Sequence, residues 1–294
     1  MEQQDFGLAY ELSPTERREV RERYPDVYFP DPVLEPVWTG RRDHRLIPEK
    51  RAIVDQAYEG PGVMVFGICS PQYKIIHYED IIATVENTVE QIKGYGNIEV
   101  KPSVYTEGGG RMKITLKFSD MVTEIRTKDA IIPKIEVFTS YDLSTKLMGK
   151  FGAFQLKCTN GMGVWQSFKA FAKRHLNNLF LSDLETNIVE GLSIFGTQIE
   201  TWKSWTEKRL TKEFYEEIWE ELPFSAAERS KIEALPEMGT ERKLIEILPT
   251  EKVDLWTFNS VLTQFATHEV KSELRKMELE TAIARTMERA AHRI

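Results

Sequence analysis

Cysteine is nearly absent. Cys69 and Cys158 are the only two in 294 residues, too few for a disulfide scaffold or an unaided structural zinc site. Long apolar runs are missing as well. Stretches such as Val63-Met64-Val65-Phe66 fall far short of the ~20 residues that cross a bilayer. Histidine is sparse and scattered: His44, His77, His175, His268 and His292 form no metal spacing with a cysteine. The first residues, Met1 to Asp5, are acidic and lack the basic and apolar stretches of a secretory leader. There is no internal repeat and no low-complexity tract. These absences set aside disulfide-rich, membrane-spanning and metal-scaffold classes. A cytoplasmic protein without metal or cofactor is expected.

What the chain does have is charge, unevenly placed. With 39 Lys+Arg against 46 Asp+Glu the formal net charge is -7, which points away from nucleic acid. Read by segment, the total resolves differently. Residues 1–100 hold 11 basic and 18 acidic side chains, net -7, and residues 176–294 hold 15 and 22, again -7. Residues 101–175 hold 13 and 6, net +7. A basic centre sits between two acidic flanks.

The periodicities divide the chain. Ser13-Pro14-Thr15-Glu16 reads as a helix start, with a short helix to about Arg23. Pro25, Pro30, Pro32 and Pro36 then argue for an extended arm over 24–50. Short apolar runs predict strands at Val63–Cys69 and Tyr73–Tyr78, split by Ser70-Pro71. Ile81, Ile82, Val85, Val89 and Ile92 recur at helical spacing within Glu79–Lys93. A strand over Ile98–Tyr105 leads through Gly108-Gly109-Gly110 into Arg111–Phe118. That glycine run precedes a strand, so it is a hairpin turn and not a phosphate loop opening a helix. Further strands are expected at Lys134–Tyr141 and Ala153–Thr159. Helices are expected at Ser167–Leu181, from Asp183 to about Leu222, and from Leu255 to near the end, with Asp254 as a cap.

Arg111–Phe118 alternates cleanly. Met112, Ile114, Leu116 and Phe118 share one face; Arg111, Lys113, Thr115 and Lys117 share the other. Lys101, Lys128 and Lys134 fall on neighbouring candidate strands, and Lys146, Lys150, Lys157, Lys169, Lys173 and Arg174 extend the excess. One reading is an ordinary solvated sheet face. The other is a nucleic-acid surface, which needs local clustering of cations and not a positive total. Tyr141, Phe151, Phe154 and Trp165 are interleaved, and exposed members could stack bases. Asp142, Gln155 and Lys157 give an enzyme alternative, a degenerate restriction-type nuclease core in which Gln155 replaces a metal-binding carboxylate.

Two blocks carry a family resemblance. The first is Ser140-Tyr141-Asp142-Leu143-Ser144 followed by Phe154-Gln155-Leu156-Lys157-Cys158-Thr159-Asn160-Gly161-Met162. The second runs from Leu255-Trp256 to Thr267-His268. Over about residues 60–285 they resemble a phage- and plasmid-borne family known only as a domain of unknown function. Its pattern is a strand ending in Cys-x-Asn-Gly and a late helix carrying Trp, Asn, Thr and His. Here Cys158, Asn160, Gly161, Trp256, Asn259, Thr263 and His268 match, with a one-residue offset at the histidine. By analogy, the resemblance extends to phage single-strand annealing proteins of the Red-beta and RecT type. Trp256, Asn259 and Thr263 share one helix face, and docking the last helix on the sheet near Asn160 is the favoured role.

The expectation is therefore an α+β protein: an antiparallel sheet core with an inserted helix and a helical C-terminal region. Residues 1–50 form the arm, 51–165 the β-rich core with its basic face, and 166–294 the helical region. The expected function is non-catalytic binding of single-stranded DNA or RNA, with strand annealing in phage or plasmid recombination and assembly into a homo-oligomer. Arg111, Lys113, Lys117, Lys146, Lys150, Lys157, Lys173 and Arg174 would contact phosphates, and Tyr141 or Phe154 would stack bases. The alternatives are an anti-defence or phage structural protein acting through its acidic surfaces, and the nuclease.

Overall fold

The computed structural model describes every residue except 1–10, 41–43, 106, 128, 157–164, 177–178, 237–241 and 248–252; side chains of 107, 165–170, 245, 273, 274 and 277 are also left out. The fold is α+β, with antiparallel sheets and a helical C-terminal region. The chain divides into two compact units. The first comprises Met1–Lys117, Ile135–Lys150 and Ala170–Glu190; the second comprises Phe118–Lys134, Phe151–Lys169 and Gly191–Ile294.

The elements begin with helix α1 (Pro14–Arg23), strands β1 (Pro32–Trp38), β2 (Leu46–Asp55) and β3 (Met64–Cys69), and helix α2 (Tyr78–Gln91). Strands β4 (Ile98–Tyr105), β5 (Arg111–Phe118), β6 (Thr123–Arg126), β7 (Asp129–Ser140), β8 (Leu147–Leu156) and β9 (Trp165–Lys173) follow. The rest is helical: α3 (Ser182–Trp205), α4 (Lys212–Glu221), α5 (Ala226–Glu233), α6 (Leu244–Ile247), α7 (Leu255–His268) and α8 (Glu273–Ala291). Strands β1-β2-β3 form one sheet, and β4-β5-β7-β8-β9 another, with β6 paired to β7.

In the first unit, α1 is built by its ends. The Ser13 hydroxyl accepts from the Glu16 N–H and the Glu16 carboxylate accepts from the Ser13 N–H, a reciprocal cap. Two ion pairs fix α1 on α2. Arg17 donates through Nε and Nη2 to the two oxygens of Asp80, each at 3.0 Å, and Arg21 donates to Glu79 at 2.5 Å. Asp80 and Glu79 are buried, so these charges need their guanidinium partners. Ile81, Ile82 and Val85 of α2 are fully buried at the expected helical spacing.

In the second unit, α3, α4, α7 and α8 surround an aromatic core. Trp202 lies 5.8 Å from Trp256, and Tyr215 and Trp219 lie 5.0 and 5.7 Å from Phe258, all in tilted or edge-on contact. Asp254 caps α7 by accepting from the Thr257 N–H at 2.7 Å, as its position in the sequence suggests.

Five expectations change. Residues 24–50 are not an arm throughout, because β1 and the first half of β2 lie there, paired antiparallel. The prolines fit because β1 is an edge strand, where a missing N–H costs no ladder bond, and the register shifts just after Pro36. Tyr73–Tyr78 is not a strand: Tyr73 makes a single bridge to Leu176, and Tyr78 already opens α2. Ser167–Leu181 is not a helix. Its first part belongs to β9, where Trp165, Phe168 and Phe171 are strand-forming residue types although their spacing of three suits a helical stripe. The stretch Asp183–Leu222 is two helices, and the final helix is also two, broken before the Ser272 cap of α8.

Candidate nucleic-acid interface

The alternation in β5 is realised in full. Met112, Ile114, Leu116 and Phe118 have no exposed surface, while Arg111, Lys113, Thr115 and Lys117 are half-buried. Strand geometry repeats the outward positions about every 6.8 Å. On the neighbouring β4, Lys101 is exposed and shares its face with Ser103 and Tyr105, both half-buried. The Ser103 hydroxyl donates to the Lys113 carbonyl at 3.3 Å, tying the two strands together.

Arg111 is engaged. Its Nε donates to Asp142 Oδ2 at 2.6 Å. Asp142 Oδ1 also accepts from the Ser144 N–H at 3.0 Å and from the Ser144 hydroxyl at 2.5 Å. Burial alone would push this carboxyl up, but the bonds from Ser144 and Arg111 outweigh it and hold it below the ordinary carboxylate range. The turn they close places Leu143 at φ 64°, the only positive φ outside glycine among the described residues.

The other expected contacts divide. Lys146, Lys173 and Arg174 are exposed, and Lys173 lies 3.5 Å from Asp183. Lys150 is not a surface cation: it is fully buried, with its ammonium 5.9 Å from the Phe138 ring centre. Tyr141 is not available to a base. It too is fully buried, its ring stacked on Tyr78 at 4.2 Å, its hydroxyl donating to the Ile76 carbonyl and accepting from the Tyr78 N–H. Strand alternation alone could not place Lys150, because β8 is buried on both faces over much of its length, and Tyr141 directly follows β7, which is buried in the same way. Phe154 is half-buried, with the Lys134 ammonium 5.7 Å from its ring centre. Lys157, Cys158, Asn160 and Gly161 lie outside the described residues.

The late helix is a packing element. Trp256, Asn259 and Thr263 are buried, while His268 is exposed. Trp256 Nε1 donates to Asp129 Oδ2 at 2.7 Å, and the Thr263 hydroxyl donates back to the Asn259 carbonyl. Asp129 Oδ1 accepts from Gln155 Nε2 at 2.5 Å, and Arg126 Nε stands 3.3 Å from Asp129 Oδ2. The residues of the nuclease alternative are thus spoken for separately: Asp142 by Arg111 and Ser144 in the first unit, Gln155 by Asp129 in the second. Among the described residues no three His, Cys, Asp or Glu side chains gather in a metal-binding arrangement.

Two features escaped the sequence. His175 is buried, stacks on Tyr73 at 5.3 Å and shares a hydrogen bond with the Thr139 hydroxyl at 3.2 Å. A groove of about 580 Å³ is lined by Tyr28, Tyr58, Glu59, Val104, Gly108 and Gly109. Tyr28 and Tyr58 flank β1 and β2, so misreading that stretch as an arm hid the groove.

Comparison with known families matches residues 65–292 to a family described as a domain of unknown function, DUF932. No curated protein and no solved structure matches. Among the described residues no helix is long and apolar enough to cross a membrane.

Proposed function

The chain belongs to the DUF932 family, and we propose that this member binds single-stranded nucleic acid without catalysing a reaction on it. The observation that carries the reading is the paired strand face of β4 and β5. Cationic side chains recur at alternate positions above a fully buried apolar face, within the one segment of net positive charge. Lys101, Lys113 and Lys117 form its centre, with Lys146 and Arg174 as further exposed cations of the same unit. Strand annealing in phage or plasmid recombination, inside the bacterial cytoplasm, is the role proposed. Annealing requires a strand to be held extended, so a homo-oligomer is proposed with it.

The test replaces Lys101, Lys113 and Lys117 together with Glu. Arg111 is left alone, because removing it would strand Asp142. Binding of a labelled oligonucleotide is followed by anisotropy over a salt series. The expected outcome is at least a tenfold loss at low salt and a shallower slope of log K against log salt, by about 0.7 for each phosphate no longer neutralised. Unchanged affinity would remove the face from the assignment.

A further inference from the structure

We propose that the groove beside the β4–β5 hairpin is a nucleobase subsite, in which Tyr28 and Tyr58 stack a base while the strand cations hold the phosphates. The proposal rests on the nucleic-acid reading and supplies what the buried Tyr141 cannot: an aromatic platform open to solvent.

The groove is built from both ends of the hairpin's surroundings. Val104, Gly108 and Gly109 come from the hairpin itself; Tyr28 precedes β1, and Tyr58 and Glu59 follow β2. One buried residue positions these last three. Asp55 Oδ2 accepts from the Tyr28 hydroxyl at 2.7 Å, and Asp55 Oδ1 accepts from the Asp31 and Ala57 N–H groups at 2.8 and 3.0 Å. The carboxylate therefore fixes the Tyr28 ring and the turn that carries Tyr58 and Glu59.

Each ring rests on a glycine. A Cβ at Gly109 would fall 2.8 Å from Tyr28 Cδ1, and the φ of 73° there is one that side chains rarely adopt. A Cβ at Gly60 would collide first with the Tyr58 hydroxyl and then with Cζ, so the hydroxyl end of that ring lies against Gly60. Tyr28 nonetheless keeps 46% of its surface exposed. Rings backed by backbone and open on the other side are what sequence-tolerant base stacking uses. The volume lies within the range of small-ligand sites.

Charge selects the base over the phosphate. Glu59 is the acidic group of the groove; it repels a phosphate and accepts from the N–H groups on a base edge. The nearest cations flank the hairpin: Lys101 is three residues from Val104 along β4, about 10 Å, so alternation sets the two side chains on opposite faces of that strand, and Arg111 is two residues from Gly109. A single strand passing over the edge of the hairpin would meet lysines with its backbone on one face and the tyrosines with one base on the other. Tyr28, Tyr58 and Glu59 precede the family match that begins at residue 65, while Val104, Gly108 and Gly109 lie within it.

The experiment compares a labelled oligothymidylate with an equal-length oligonucleotide carrying abasic sites, by anisotropy, for the wild type and for Tyr58→Leu and Tyr28→Phe. Thermal melts confirm that each variant folds. Wild type should prefer the oligothymidylate by at least about fivefold. Tyr58→Leu should erase that preference without changing the salt slope, and Tyr28→Phe, which keeps the ring, should retain most of it. Equal wild-type affinity for both oligonucleotides overturns the subsite and leaves the phosphate-binding reading standing. Equal losses on both in Tyr58→Leu also overturn it. No binding of either at low salt overturns both.

Discussion

Arg111 Nε donates to Asp142 Oδ2 at 2.6 Å, so the first cation of β5 already holds a carboxylate. The pair also closes the turn in which Leu143 takes φ 64°. Both partners keep 23% of their side-chain surface exposed, so the contact is neither a fully buried ion pair nor a freely solvated one. Converting Asp142→Asn keeps the shape and an acceptor for Ser144 but removes the charge that competes for Arg111. Affinity for a single-stranded oligonucleotide should rise severalfold, with a slope against log salt steeper by about 0.7. An unchanged slope in the anisotropy series would place Arg111 outside the interface.

The fold should weaken as pH falls from about 6.5 to about 4. Burial pushes His175 down to about 4, against the weaker opposing effect of the Lys74 backbone. The unfolded chain then binds the proton that the folded one refuses, so stability rises with pH through this window. His77 is also lowered by its burial and acts in the same sense. His175→Gln can keep a partner for Thr139 but has no titration. Melting temperature measured across the window should therefore vary less steeply in this variant, with the residual slope belonging to His77 and other groups.

Gly109→Ala should destabilise the hairpin turn. The methyl would meet the Tyr28 ring at 2.8 Å and would impose a side chain on φ 73°. Left-handed backbone costs an ordinary residue about 1–2 kcal/mol, before any displacement of the ring. Gly94→Ala, where a Cβ meets nothing within 4 Å, is the control and should change stability little. Urea midpoints for the two variants decide the point; equal midpoints would mean that neither the backbone angle at Gly109 nor the Tyr28 ring resists the methyl.

The sequence was most legible where one period ruled alone. The alternation of Arg111–Phe118, the stripe of Ile81, Ile82 and Val85, and the caps at Ser13 and Asp254 each predict what is seen, because local chemistry and tertiary burial agree there. It was least legible where long-range pairing decides. Pro32 and Pro36 discourage a strand locally but are harmless on an edge, a position known only once β2 is seen to pair on one side. Tyr141 and Lys150 read as surface residues because nothing local reveals that β7 and β8 are covered on both faces. The tyrosine groove depended on the same missed sheet.

The indole of Trp256 and the carboxylate of Asp129, 127 positions apart in the chain, should be energetically coupled through their hydrogen bond. Asp129 is 1% exposed, and its charge is met by Trp256 Nε1, Gln155 Nε2 and the Arg126 guanidinium. A buried carboxylate is tolerated only while its acceptor sites are filled. Trp256→Phe keeps an aromatic ring against Trp202 but removes the N–H. The missing bond to a charged acceptor should cost about 1.5–3 kcal/mol, with a further loss from the smaller ring. Asp129→Asn alone should also destabilise, because the amide cannot serve three donors as well as a carboxylate does. In the double variant the two losses should fall short of additivity by about 0.5–3 kcal/mol, as expected for side chains that touch. Urea denaturation of the four proteins of this cycle measures that coupling, and strict additivity would show that the Trp256 ring acts by packing alone.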